Sequence, residues 1–237
     1  MLWYKAWVET RIRLWIVLAY TAVFVAALSM RSIAPGALPP QRSNAAAGLA
    51  MGMTSFIAVV CALLAGSGIA SQAAFQAIKG LHGSTQFTLS LPVSRVRLLA
   101  SRAAMGWAEM AAAVGIFCLG IRLAGAGLAP GASGAEFIEY AVTLIACASA
   151  LYFLSVLLAT FLDDQWRIGG TILAAAALWL VLPSLTRLPE YADIFRAMGD
   201  GSPLAAHTMP WPAMSFSLAL AAILFVAAIK IARTREY

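Results

Sequence analysis

Charge is what this chain has least of. Asp, Glu, Lys and Arg make up 11% of its 237 residues, sixteen basic and ten acidic side chains, against roughly 25% in an ordinary soluble domain. So few charges cannot coat a body of 25.0 kDa, which excludes a water-soluble domain and equally a disordered chain. Cysteine is scarce too. Cys61, Cys118 and Cys147 each fall in an apolar run, with no Cys-x-x-Cys spacing and no His nearby. That excludes a disulfide scaffold, offers no metal-ligand pattern and leaves them as small apolar packing residues. No Gly-x-x-x-x-Gly-Lys-Ser/Thr run occurs, so the chain has no Walker loop for a nucleotide.

What remains is hydrophobic. Apolar residues make up 62% of the chain and the mean hydropathy is +0.85, the values of a polytopic membrane protein. Runs such as Ala174-Ala175-Ala176-Ala177-Leu178-Trp179-Leu180-Val181-Leu182 do not alternate, which rules against a transmembrane barrel and for helices. A helix needs about 20 residues to cross a hydrocarbon core of roughly 30 Å. Six apolar spans are expected at about 14–30, 50–70, 103–121, 140–161, 169–185 and 213–230. The first is read as a retained helix, because the positive stretch before it is long and aromatic for a cleavable signal.

The net charge of +6 is a topology signal rather than a nucleic-acid footprint. With the N-terminus inside, eleven basic residues fall on the inner side, in 1–13, 71–102, 162–168 and the tail, and five on the outer side. Basic residues favour the cytoplasmic side during insertion, so both termini are expected in the cytoplasm. In residues 1–13, Trp3 and Trp7 share a face with Leu14 while Lys5, Glu9 and Arg13 form a polar stripe, the pattern of a helix lying at the membrane interface. The 31–48 segment, rich in Pro, Gly and Ala, reads as a linker.

The long inner loop, 71–102, is the most informative stretch. Gly80 and Gly83 are helix stops. Pro92 disfavours helical geometry at Leu91 but suits a first turn, with Ser90 as a cap. A short amphipathic helix is expected around 84–90, then a break, then a helix from Pro92 into the third span. The run Phe87-Thr88-Leu89-Ser90-Leu91-Pro92-Val93-Ser94-Arg95, followed by Arg97, Leu98, Leu99 and Arg102, resembles the cytoplasmic loop of the type-2 ABC exporter permeases. In layout the resemblance covers most of the chain, and by motif about 20 residues. It implies a coupling helix that sits on a separate ATPase subunit, with Phe87, Leu89, Leu91, Pro92, Ser94 and Arg95 as the contact. It further implies that ATP and Mg are bound by that partner and not by this chain. A second permease copy, or a related permease, completes the path, and the setting is a bacterial inner membrane. Family members often carry acidic residues before the Leu-Ser-Leu-Pro run; here 71–94 has none, so the contact is expected to be apolar. The segment 186–212, with Pro189, Glu190, Asp193, Asp200, Pro203, His207, Pro210 and Pro212, corresponds to short re-entrant helices in that family, and otherwise reads as a solvated loop.

Two other functions compete. Gly131-Ala132-Ser133-Gly134 resembles the serine motif of rhomboid intramembrane proteases, and His207 lies on the same side as a conceivable base. Against it, His207 is followed by Thr-Met-Pro, His82 lies in the inner loop, and a Gly/Ala/Ser string is common in a chain with 18 glycines. A turn entering the fourth span explains it as simply. A membrane scaffold without transport is the third option. Glu109, the one acidic residue inside a span, is expected to line the path, to titrate, to pair with a basic residue of another helix or simply to reach the nearby interface, because a carboxylate in lipid is costly. Asp163, Asp164 and Arg167, in the tight loop between spans four and five, are either a second partner contact or a solvated turn.

Overall fold

The computed structural model describes residues 40–67, 94–123, 133–162, 164–181 and 189–234, together with Trp15, Leu18, Ala19, Ala22, Val23 and Ala26, which are helical. Every regular element among them is helical, as the composition requires. The helices are α1 (Pro40–Ser67), α2 (Arg95–Leu123), α3 (Gly134–Phe161), α4 (Asp164–Val181), α5 (Ile194–Met198), α6 (Pro203–Ala206) and α7 (Trp211–Thr234), with a single 3₁₀ turn at Glu190–Ala192.

Three stretches, Val96–Leu123, Gly134–Thr160 and Trp211–Thr234, are long and apolar enough to cross a membrane. At about 1.5 Å per residue each exceeds the hydrocarbon thickness. The apolar stretches Thr54–Gly66 and Gly169–Val181 are shorter.

Several boundaries differ from the expected ones, each for a local reason. α1 begins at Pro40, so 40–48 is helix and not linker; proline at a first helical position is already set for the helix. α2 begins at Arg95 and not at Pro92, because Ser94 is its cap: the Ser94 hydroxyl accepts the Arg97 N–H at 3.3 Å, and the Ser94 carbonyl accepts that of Leu98. α3 begins at Gly134, six residues before the expected span, behind a full capping box at Ser133 and Glu136. α4 begins at Asp164, so Asp164 and Arg167 stand in its first turn and not in a loop. Asp163 lies outside the described residues.

α3 is the axis of the bundle. Of its apolar window 61% is buried, against 39% for α2 and 22% for α7. Gly66 brings α1 against it so closely that a Cβ there would lie 2.6 Å from Ser155 Cβ and 2.7 Å from the Tyr152 carbonyl oxygen. Ser155 then donates to the Leu63 carbonyl at 3.0 Å. On α2, Gly106 leaves room for the Tyr152 hydroxyl, which donates to the Ala103 carbonyl at 2.8 Å. Trp107 Nε1 donates to Ser149 Oγ at 2.8 Å. On α7, Phe225 packs on Phe153 with ring centroids 5.1 Å apart.

These pairs fix the directions. α1 meets α3 with Thr54 and Ser55 beside Tyr140 and Leu63 beside Ser155. α7 meets it with Met214 at Thr143 and Phe225 at Phe153. Both therefore run parallel to α3. α2 runs against it, with Ala103 at Tyr152 and Arg122 at Gly134. That alternation is what successive crossings joined by loops require.

One end of the bundle is capped by 189–210. Asp193 accepts the N–H groups of Phe195 and Arg196, both at 3.1 Å, and so starts α5. Ile194, Ala197, Met198 and Leu204 are buried beneath this cap, and Ser55 of α1 donates to the Met198 carbonyl at 2.8 Å. The segment is thus a pair of docked short helices and not a solvated loop.

The Gly66 contact generates a test. Gly66→Ala forces a methyl into helix backbone and is expected to destabilise the bundle by about 1–3 kcal/mol, the range for overpacking. Gly115→Ala on α2 meets nothing within 4 Å and is expected to be neutral. Thermal unfolding in detergent compares them; a Gly66→Ala variant as stable as Gly115→Ala contradicts the α1–α3 packing.

Candidate functional site

The sequence-derived site residues divide among three places. Phe87, Leu89, Leu91 and Pro92 lie outside the described residues. Ser94 is exposed and caps α2, and Arg95 opens that helix. Asp164 and Arg167 belong to the first turn of α4. The end of α3 nearest that turn is the end where Ser155 meets Leu63, far from the short-helix cap.

Glu109 lies within the bundle. It is 9% exposed, on the turn of α2 just past Trp107, and it lies near Tyr152 of α3. A buried carboxylate in a spanning helix is retained where it faces protein or a polar path rather than lipid. Its neighbours Trp107 and Tyr152 both make interhelical hydrogen bonds, so Glu109 sits where α2 and α3 are most firmly joined.

The opposite end holds the group that sequence reasoning only half identified. Ser133 Oγ accepts the Glu136 N–H at 3.3 Å, and Glu136 Oε2 accepts the Ser133 N–H at 2.6 Å. The other carboxylate oxygen, Oε1, meets His207 Nδ1 at 3.0 Å. One carboxylate thus closes the α3 N-terminus and tethers the end of α6. His207 is in the left-handed region, with φ 53, and its own N–H bonds back to the Pro203 carbonyl as the α6 cap. This backbone is costly for a residue other than glycine, and the Glu136 contact helps to hold it.

Ser133 and His207 are therefore brought to the same corner, but through Glu136: no hydrogen bond joins Ser133 Oγ to the imidazole among the described residues. Glu136 was missed at the sequence level, although Ser-x-x-Glu before an apolar run is a capping signature. Three buried hydroxyls, those of Tyr140, Ser202 and Ser217, complete no hydrogen bond of normal geometry; Tyr140 nevertheless lies beside Thr54 and Ser55. They place a polar seam behind this corner, between α1, α3, α7 and the cap.

Cys61, Cys118 and Cys147 are free and buried. No family model matches the chain, and none of the curated proteins matches it in sequence.

The capping role predicts a stability effect. Ser133→Ala removes the acceptor for the Glu136 N–H and is expected to cost about 1 kcal/mol, while Ser133→Asp, which keeps a cap, restores most of it. Thermal unfolding in detergent reads both. A Ser133→Ala variant as stable as the parent contradicts the capping box.

Proposed function

We propose that this chain is the membrane-spanning permease subunit of an ATP-driven exporter of the type-2 ABC class. In this reading it has six spans, both termini are cytoplasmic, and 189–210 is a re-entrant cap over the outer end of the path. It sits in a bacterial inner membrane. Two copies, or one copy and a related permease, form the path, and a separate ATPase subunit binds MgATP. The observation that carries the reading is the sequence run from Phe87 to Arg95, which ends at the residue where α2 begins.

The mechanics support it. Ser94 caps a helix of 29 residues, a stiff rod whose N-terminal half is bonded to α3 through Ala103 and Trp107. A push on the segment before Ser94, made when the ATPases close on ATP, passes along α2 into α3 and reaches the capped end as a rigid-body shift. Glu109 lies on this rod, buried beside the α2–α3 junction.

A second reading, an intramembrane serine protease, draws on the Ser133–Glu136–His207 corner. The orientation is against it, since Ser133 Oγ faces the Glu136 N–H and not the imidazole. Labelling of Ser133 by a serine-hydrolase probe would favour it.

The permease reading is tested at the coupling segment. Phe87→Ala or Leu89→Asp is expected to weaken co-purification with the cognate ATPase, or to uncouple its hydrolysis from transport, while insertion stays normal. A well-buried anchor contributes more than about 1 kcal/mol, and with no acidic residue in 71–94 the contact should depend only weakly on salt. If neither substitution changes ATPase binding, hydrolysis or transport, the coupling assignment fails.

A further inference from the structure

The two short helices over the end of the bundle are held unequally. α5 is fixed from several sides. Asp193 accepts two of its first N–H groups, Arg196 pairs with Glu190 at 3.2 Å, and Ser55 of α1 donates to the Met198 carbonyl at 2.8 Å. Ile194, Ala197 and Met198 are buried beneath it. α6 has only four residues, and its N-cap residue, Ser202, makes no side-chain capping bond. Pro203 and Leu204 are buried, but Ala205, Ala206 and His207 are exposed.

The backbone divides the cap at the same place. The N–H groups of Gly199 and Gly201 bond back to the carbonyls at the end of α5, so this turn belongs to α5. α6 departs from it after Gly201, past one backbone bond from the Ser202 N–H to the Gly199 carbonyl at 3.0 Å.

Two features of the seated α6 are unfavourable in themselves. The Ser202 hydroxyl is fully buried and completes no hydrogen bond among the described residues, so it has given up water without a replacement. His207 stands in the left-handed region at φ 53, which costs a residue other than glycine. Both are relieved when α6 lifts: the hydroxyl regains water and the backbone relaxes. Against them stand the burial of Pro203 and Leu204 and one polar contact, His207 Nδ1 to Glu136 Oε1 at 3.0 Å. Glu136 suits that task because its other oxygen is fixed by the Ser133 N–H at 2.6 Å, which aims the carboxylate from the first turn of α3.

We propose that α6 is a strap that lifts from the bundle while α5 stays seated, with the Glu136–His207 contact as its latch. Lifting opens the Ser202 hydroxyl, and the bundle end behind it, to water. The strap does not depend on the permease reading, because it is measured on the isolated chain.

Ser202→Cys reports the movement, in the full chain with Cys61, Cys118 and Cys147 replaced by alanine. The swap is close in size and removes no hydrogen bond. Purified in detergent, the protein is labelled with a small charged methanethiosulfonate. Three other positions calibrate the rate: Ala205→Cys, exposed on α6, Ala197→Cys, buried on α5, and Ala148→Cys, in the core of α3. Labelling at 202 is expected to be slower than at 205 and faster than at 148. Glu136→Gln keeps a residue that completes a capping box, and His207→Gly suits the left-handed backbone. Each should speed labelling at 202 by roughly two- to fivefold, the range for a partly exposed ion pair. Because both break one contact, the two together should do no more than either alone. Rates at 197 and 148 should not change. If His207 served only the turn, glycine would leave labelling at 202 unchanged or slow it. The proposal is overturned by that result, by a position 202 as inert as 148, by additive effects of the two substitutions, or by equal acceleration at 197.

Discussion

Inside a hydrocarbon layer, apolar side chains gain nothing from leaving lipid for one another, so helices must find another reason to associate. In this chain the reason is close backbone approach to α3 combined with hydroxyls that reach across the gap. Gly66 removes the side chain that would separate α1 from Tyr152 and Ser155. Gly106 does the same on α2, and Tyr152 uses the space to reach the Ala103 carbonyl. Bonds of this kind contribute on average only about 0.6 kcal/mol each in a membrane, but here they come in a cluster with the packing that permits them. The directions of α1, α2 and α7 follow from where these contacts fall.

The two ends of the bundle consequently have different characters. At one end the α2 N-terminus is closed by its own Ser94. At the other, the cap covers the seam and is tied to α1 by Ser55 and to α3 by Glu136. Both ties are single polar contacts at the rim, while Ile194, Met198 and Leu204 supply the buried area. A cap held by apolar burial and positioned by two polar contacts is a compact way to close that end of the bundle.

The broad class of the protein was legible from the scarcity of charge, because hydropathy over some 20 residues is an additive property that no tertiary contact overrides. Spans 103–121, 140–161 and 213–230 lie within α2, α3 and α7 for that reason. Boundaries were less legible, since they depend on capping by single residues: Ser94 displaced the start expected at Pro92, and Ser133 with Glu136 extended α3 outward. The candidate site was legible only in fragments. Ser133 and His207 were singled out, but Glu136, which connects them, has no meaning until α6 is folded back over α3.

The account rests on α7 lying parallel to α3 in the register that pairs Phe153 with Phe225. Cysteine cross-linking in native membranes tests this most directly, in a chain whose Cys61, Cys118 and Cys147 are replaced by alanine. Phe153→Cys with Phe225→Cys should join through a short thiol-to-thiol linker, and Phe153→Cys with Met214→Cys should not. The reverse result, linkage of 153 to 214 and none to 225, would mean that α7 does not run alongside α3 in this way, and the capped bundle described above would be wrong.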